Sequence, residues 1–165
     1  MSGRPSRLWA AQLASVGFVA ACATAPPLPS TPVAFPTATV WVANATDSAR
    51  LVVEVARSAA QQEVGLAGRS TLAPDQGMLF QFDEMRTEDD GFWMLGTSFP
   101  LDILFIDASG VVTSVLPMEP CADPPPGDDC PGYFPEAPYA SALEVNRGWL
   151  ARHGLGVGAR VRVEG

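Results

Sequence analysis

Three charged side chains stand where charge is costly. Arg69 ends the turn-like run Gly65-Leu66-Ala67-Gly68-Arg69, Asp102 opens the apolar run Ile103-Leu104-Phe105-Ile106, and Glu144 sits between Leu143 and Val145. Two carboxylates in one cleft could divide acid and base work between them, provided the environment raised the pKa of one. A guanidinium placed between them would instead neutralise both and pin the strands that carry them. The second arrangement is the expectation here, because structural ion pairs are common and no motif marks a cleft. Arg69, Asp102 and Glu144, with Thr97 beside them, are therefore predicted to form one polar cluster. In that arrangement Arg69→Met would cost roughly 3–5 kcal/mol, the penalty for stranding a buried charge.

Other chemistry has less to work with. His153 is the single histidine and has no Cys or His partner at ligand spacing, so no metal site is expected. No Gly-Xaa-Ser-Xaa-Gly elbow occurs, and all ten basic residues are Arg. Without Lys there is neither a Schiff-base nucleophile nor a P-loop lysine, and no cofactor is implied. The acidic pairs Asp89-Asp90 and Asp128-Asp129 lack the alternating ligands and closing Glu of a calcium loop and read as solvated charge. Phe80, Phe82, Trp93 and Met94 could line a groove, but apolar residues at strand spacing are expected to be core.

The first residues specify a location. Arg4 and Arg7 precede an apolar run from Leu8 to Ala21, too short for the roughly 20 residues that span a bilayer. The run ends Val19-Ala20-Ala21-Cys22, which resembles the lipobox of bacterial lipoproteins. The resemblance implies a signal peptide over residues 1–21 and a mature chain that begins at an acylated Cys22 and is held in the bilayer by its acyl chains. Ala23 stands where inner-membrane retention usually uses Asp, which points to the outer membrane, facing the periplasm. Residues 22–39 form a Pro-rich tether and 40–165 the folded domain. Export also places Cys121 and Cys130 in an oxidising compartment, and with Cys22 lipidated they are an even pair, predicted to form a disulfide. Beyond Cys22, eight arginines face eighteen acidic residues, a side-chain charge of −10, which excludes a basic nucleic-acid face.

Short β-branched and apolar runs predict strands at 40–45, 51–55, 78–82, 92–95, 102–107, 111–116, 142–146 and 160–164. Ala108-Ser109-Gly110 reads as a hairpin turn. Ser58 can cap a short helix ending near Gly65, and a second short helix spans 149–153. The pattern predicts an α+β, mostly β fold: a small barrel or rolled sheet with two short helices.

These elements carry a wider resemblance. Gly65-Leu66-Ala67-Gly68-Arg69, Gly77-Met78-Leu79-Phe80, Phe92-Trp93-Met94, Thr97, the block 100–107, Leu143-Glu144-Val145-Asn146 and Gly156-Val157-Gly158 follow one another in an order and spacing that resemble domain of unknown function 192. The resemblance implies a compact barrel-like α+β fold and no established activity. Two positions depart from its usual pattern: Ala67 replaces a Met, and Gly96 replaces an Asn. The leading functional expectation is a non-enzymatic binding or accessory module at the membrane surface, partnered by an envelope protein or glycan. The alternatives are an envelope hydrolase or carbohydrate-active enzyme using Asp102 and Glu144, and a structural envelope component with no small-molecule ligand.

Overall fold

Residues 33–124 and 129–164 are described by a computed structural model; the expected signal peptide and Cys22 lie outside them. Strand β1 (Thr37–Ala43) leads through an Asn-centred turn to β2 (Ser48–Ala56). Leu51, Val53 and Val55 of β2 are buried while Arg50 and Val52 face outward, the period-2 pattern of a half-buried strand. Helix α1 (Ala59–Val64) begins where expected: Ser58 Oγ accepts from the Gln61 N–H, and Gln61 Oε1 accepts in return from the Ser58 N–H.

Then follow β3 (Gln76–Arg86), β4 (Phe92–Trp93), β5 (Leu101–Ile106), β6 (Val112–Met118), β7 (Gly132–Tyr133), β8 (Tyr139–Asn146), α2 (Trp149–Arg152) and β9 (Arg160–Val163). Seven strands form one sheet in the order β6-β5-β8-β3-β2-β1-β9, and β4 pairs with β7 in a second, two-stranded sheet. All pairings are antiparallel except β2 with β3, which α1 connects. The large sheet curls until its edges touch at one end. There Val111 bridges Arg160, the Val112 N–H donates to Ala159 O at 2.9 Å, and the Gly158 N–H donates to Val112 O at 2.8 Å. The result is the mostly β, rolled architecture expected, a half-barrel with two short helices.

Both faces of the sheet are covered, so β5 is buried along its whole length. Strand β8 sends Leu143 and Val145 to one face, where they pack with Leu51, Leu79, Leu104 and Trp149. Ala142 goes to the other face, with Met78, Phe80, Ile103, Phe105 and Tyr139. Close approach of β3 to β8 requires glycine at position 77, where a Cβ would lie 2.6 Å from the Glu144 carbonyl oxygen.

Cys121 and Cys130 are joined, as predicted, with Cα atoms 5.9 Å apart. The bonded pair links two segments that both flank β4. The Gly96 N–H donates to Cys121 O and the Cys121 N–H to Thr97 O, while β7 begins two residues beyond Cys130. Strand β7 was not anticipated, because two residues inside a Pro-rich stretch carry no periodicity.

Candidate functional site

Glu144 lies on the face of β8 that carries Ala142. Its cross-strand neighbours are Met78 on β3 and Ile103 on β5, both fully buried, and only 4% of its own surface is exposed. Burial alone pushes its carboxyl up to about 8, with no hydrogen bond or neighbouring charge acting on it. At neutral pH Glu144 is therefore a carboxylic acid with a proton to donate. The carboxyl faces a cleft of about 510 Å³, large enough for a small organic ligand.

Each wall of the cleft has a local cause. One is α1 with the turn after it, Gly65 to Ala67; another is the aromatic face of β3, Phe80 and Phe82. A third is the small β4–β7 sheet. Beneath it Phe80, Phe92, Phe105 and Tyr139 pack edge to face, with Phe80–Phe92 and Phe105–Tyr139 centroids both 4.9 Å apart. Tyr139 donates its hydroxyl proton to Asp90 O at 2.6 Å and is pushed up to about 12, chiefly by burial. The rim is unusually apolar: Trp93, Leu95 and Phe134 are 60%, 53% and 55% exposed. Phe134 is nevertheless held in place. Its ring lies against Gly91 and Gly132, where added Cβ atoms would come within 2.6 and 2.5 Å of it. Acidic residues share this rim. Asp90 is bound by the Thr87 N–H, the Thr87 hydroxyl and Arg86, and the Thr87 backbone bond is the largest cause holding its carboxyl below the usual range. Arg86 is engaged by Asp90 at 2.8 Å and stacks over Phe82. Glu63 and Asp89 have no ion-pair partner among the described residues.

The expected four-residue cluster does not form. Glu144 and Thr97 line the same cleft. Asp102 pairs with Val145 in the β5–β8 register and so faces away from Glu144, through the sheet. Its partner there is Arg147, at 3.2 Å, with the Gly148 N–H donating to its second oxygen at 2.7 Å. A hydrolase using Asp102 and Glu144 together is therefore ruled out by their placement. Arg69 joins neither acid: it pairs with Glu54 and lies over the Phe35 ring. Both members of that pair are about one-third exposed, at 32% and 33%, so water screens them. Arg69→Met is accordingly expected to cost under about 1 kcal/mol rather than the larger penalty of a buried pair. A thermal melt lowered by many degrees would show the pair to be more deeply coupled.

Trp93, expected in the core, stands on the rim, while Phe80 and Met94 are buried as anticipated. His153 packs on Trp149 in α2, its Nδ1 2.8 Å from Trp149 O, and is not part of the cleft. The two departures from the family pattern are neighbours. Gly96 has φ +78°, a conformation open to Gly and tolerated by Asn, and a Cβ there would sit 3.1 Å from Ala67 Cβ. Arg147, Glu54, Glu63 and Phe134 were missed. Arg147 and Phe134 sit in a turn and a loop and Glu63 on a six-residue helix, where no period marks a side chain's direction, while Glu54 lies on β2 and its partner comes from a distant turn.

Residues 40–163 match the sequence profile of the family described as uncharacterized ACR, domain of unknown function 192. A Sinorhizobium meliloti 1021 protein described as a candidate transcription regulator is similar at 33% identity, with a TM-score of 0.67, over 81% of this chain and 98% of that one. A Novosphingobium aromaticivorans DSM 12444 protein of unknown function is similar at 29% identity, with a TM-score of 0.70, over 85% and 94% respectively. No curated protein matches the chain.

Proposed function

Because the chain belongs to the domain of unknown function 192 family, which brings no activity of its own, we propose a function from the site: a non-enzymatic, envelope-tethered module that binds a small ligand in the Glu144 cleft. The observation that carries this reading is the Glu144 carboxyl, 4% exposed and with no ion-pair partner among the described residues, at the floor of an aromatic cleft. The Glu144 oxygens are not among the fully enclosed unpartnered atoms, so they open onto the cleft, where a largely desolvated carboxyl gains from any partner that reaches it. An arriving ligand can satisfy it, and binding sites characteristically combine apolar walls with a few such groups. Among the described residues the cleft buries one carboxyl, Glu144, carries Glu63, Asp89 and Asp90 nearer its rim, and pairs no base with a nucleophile, which supports holding a ligand over turning one over. The regulator description of the Sinorhizobium relative finds no support in charge here, since this chain carries a net charge of −8.

The tether rests on the lipobox-like run ending in Cys22 and on the five prolines between residues 26 and 36. A lipid anchor with a semi-rigid spacer would hold the cleft off the membrane surface, within reach of envelope molecules.

Two measurements test the two halves. Mass spectrometry of protein from its native membrane should find acyl mass on an N-terminal Cys22; an unmodified residue there would end the tethered reading. A small-fragment screen followed by the Trp93 indole resonance should give hits that shift Trp93 and lose affinity in Phe134→Ala. Hits confined to other surfaces would end the cleft reading.

A further inference from the structure

The charges around the cleft that lack an ion-pair partner among the described residues are of one sign, and this restricts the ligand. Lining the cavity with Glu144 are Glu63 from α1, Arg86 from β3, Asp89 and Asp90 from the following loop, and Tyr139 from β8 itself, while Glu54, beyond Met78 on the same face of the sheet, is taken up by Arg69. Arg86 is taken up by Asp90 and by the Phe82 ring, and the buried phenol of Tyr139 stays neutral through the physiological range. The remaining charges are Glu63 and Asp89, both acidic, with Glu144 beneath them. The walls between are aromatic, and Trp93 and Phe134 present their rings at the mouth. An anion would meet repulsion with no free cation to receive it. A hydrated metal ion would find apolar walls, and among the described residues no group of three or more ligating side chains gathers.

We propose that the cleft recognises a compact organic cation, an amine or quaternary ammonium whose apolar part rests on the Trp93 and Phe134 rings while its charge lies over Glu144. This deepens the binding-module reading and rests on it. The rings' negative faces attract an organic cation, and the acidic rim adds a longer-range pull. Glu144 decides the depth of the site. A cation arriving next to the neutral acid favours its ionisation, so the O–H bond breaks and the proton leaves to solvent as the ion pair forms.

That linkage gives the pH dependence a definite sign. Glu144 is protonated below about 8 in the free protein. Cation affinity should therefore climb by up to about tenfold per pH unit from pH 6 to 8 and level off above. A neutral ligand that accepts a hydrogen bond from the intact Glu144 acid would show the reverse, flat below 8 and falling above it.

The test uses the full mature chain in detergent and three probes: benzyltrimethylammonium, benzyl alcohol and benzoate. Binding is followed by the Trp93 resonance and by calorimetry in buffers of different ionisation enthalpy. Benzyltrimethylammonium should bind best, release a fraction of a proton at pH 7, and gain affinity toward pH 8. Glu144→Gln should abolish the proton release and flatten the pH profile, while Phe134→Ala weakens binding several-fold at every pH. Tighter binding of benzyl alcohol or benzoate at pH 8 would overturn the cation assignment and leave the binding module standing. Binding of the cation with no proton release and no change in Glu144→Gln would likewise overturn it. If none of the three reaches the cleft, the cation assignment falls; only an empty fragment screen as well removes the binding module.

Discussion

Arg147→Met is expected to destabilise the domain by roughly 3 kcal/mol, the lower end of the range for stranding a buried charge. Asp102 is nearly enclosed, its side chain 11% exposed, and Arg147 is its one ion-pair partner among the described residues. The same guanidinium donates to Leu101 O at 3.1 Å and Met118 O at 2.7 Å, and it pairs with Glu119 outside. Its loss would strand a carboxylate and two strand-end carbonyls together. Because Arg147 is itself 33% exposed, water can enter in its place, which keeps the cost below the maximum. Asp102→Asn keeps an acceptor for the Gly148 N–H and should cost less. The double variant Arg147→Met with Asp102→Leu should cost less than the sum of its singles, since the charge to be stranded is gone. Urea unfolding of the four proteins decides the matter. Strict additivity would mean that the two side chains are not coupled.

The stability of the native protein should fall as pH rises from about 4.5 to about 8, and Glu144→Gln should remove most of that fall. Glu144 has its ordinary value of 4.5 when unfolded and is pushed up to about 8 by burial when folded. Between those values the folded state holds a proton that the unfolded state has released, so raising the pH favours unfolding. The contribution is fully present below about 4.5 and is lost through 8, at about 1.4 kcal/mol per pH unit. Across the whole window the effect is on the order of 4–5 kcal/mol. Asp90 and Asp107, both held below the usual carboxylate range, act in the opposite direction and only in more acidic solution. Subtracting the Glu144→Gln profile cancels the groups common to both proteins. Parallel profiles for the two from pH 5 to 9 would mean that Glu144 is solvated in the native state. A stability deficit of this kind at a cleft floor fits the common pattern of binding groups maintained against stability.

Much of the local structure was legible in the residues. Ser58 and Gln61 announce their reciprocal cap, and Ala108-Ser109-Gly110 places the β5–β6 hairpin, where Asp107 accepts from the Ser109 and Val111 N–H groups. Strand boundaries moved by a few residues: β1 begins at Thr37 inside the expected tether, and β3 runs on to Arg86. What could not be read was which residues meet. Arg69 was paired with the wrong acids because Glu54 lies on β2, which reaches Arg69 only through the parallel β2–β3 pairing and the α1 crossover. Trp93 has the composition of a core residue, yet β4 is two residues long and one of its faces has no layer over it.

By itself the sequence determined the strand-rich class, the two short helices, the Cys121–Cys130 pair and the acidic balance, because these depend on neighbours along the chain or on simple counting. Only the tertiary structure decided that Glu144 faces a cleft and Asp102 the opposite core. Alternation tells which residues of one strand share a face, but relating two strands requires their register. In the β5–β8 register Glu144 stands across from Ile103 and Asp102 across from Val145. A shift of one residue would have put both acids on one side. That single offset separates a two-carboxylate site from a cleft with one buried carboxyl, backed on the far face by the Asp102–Arg147 ion pair.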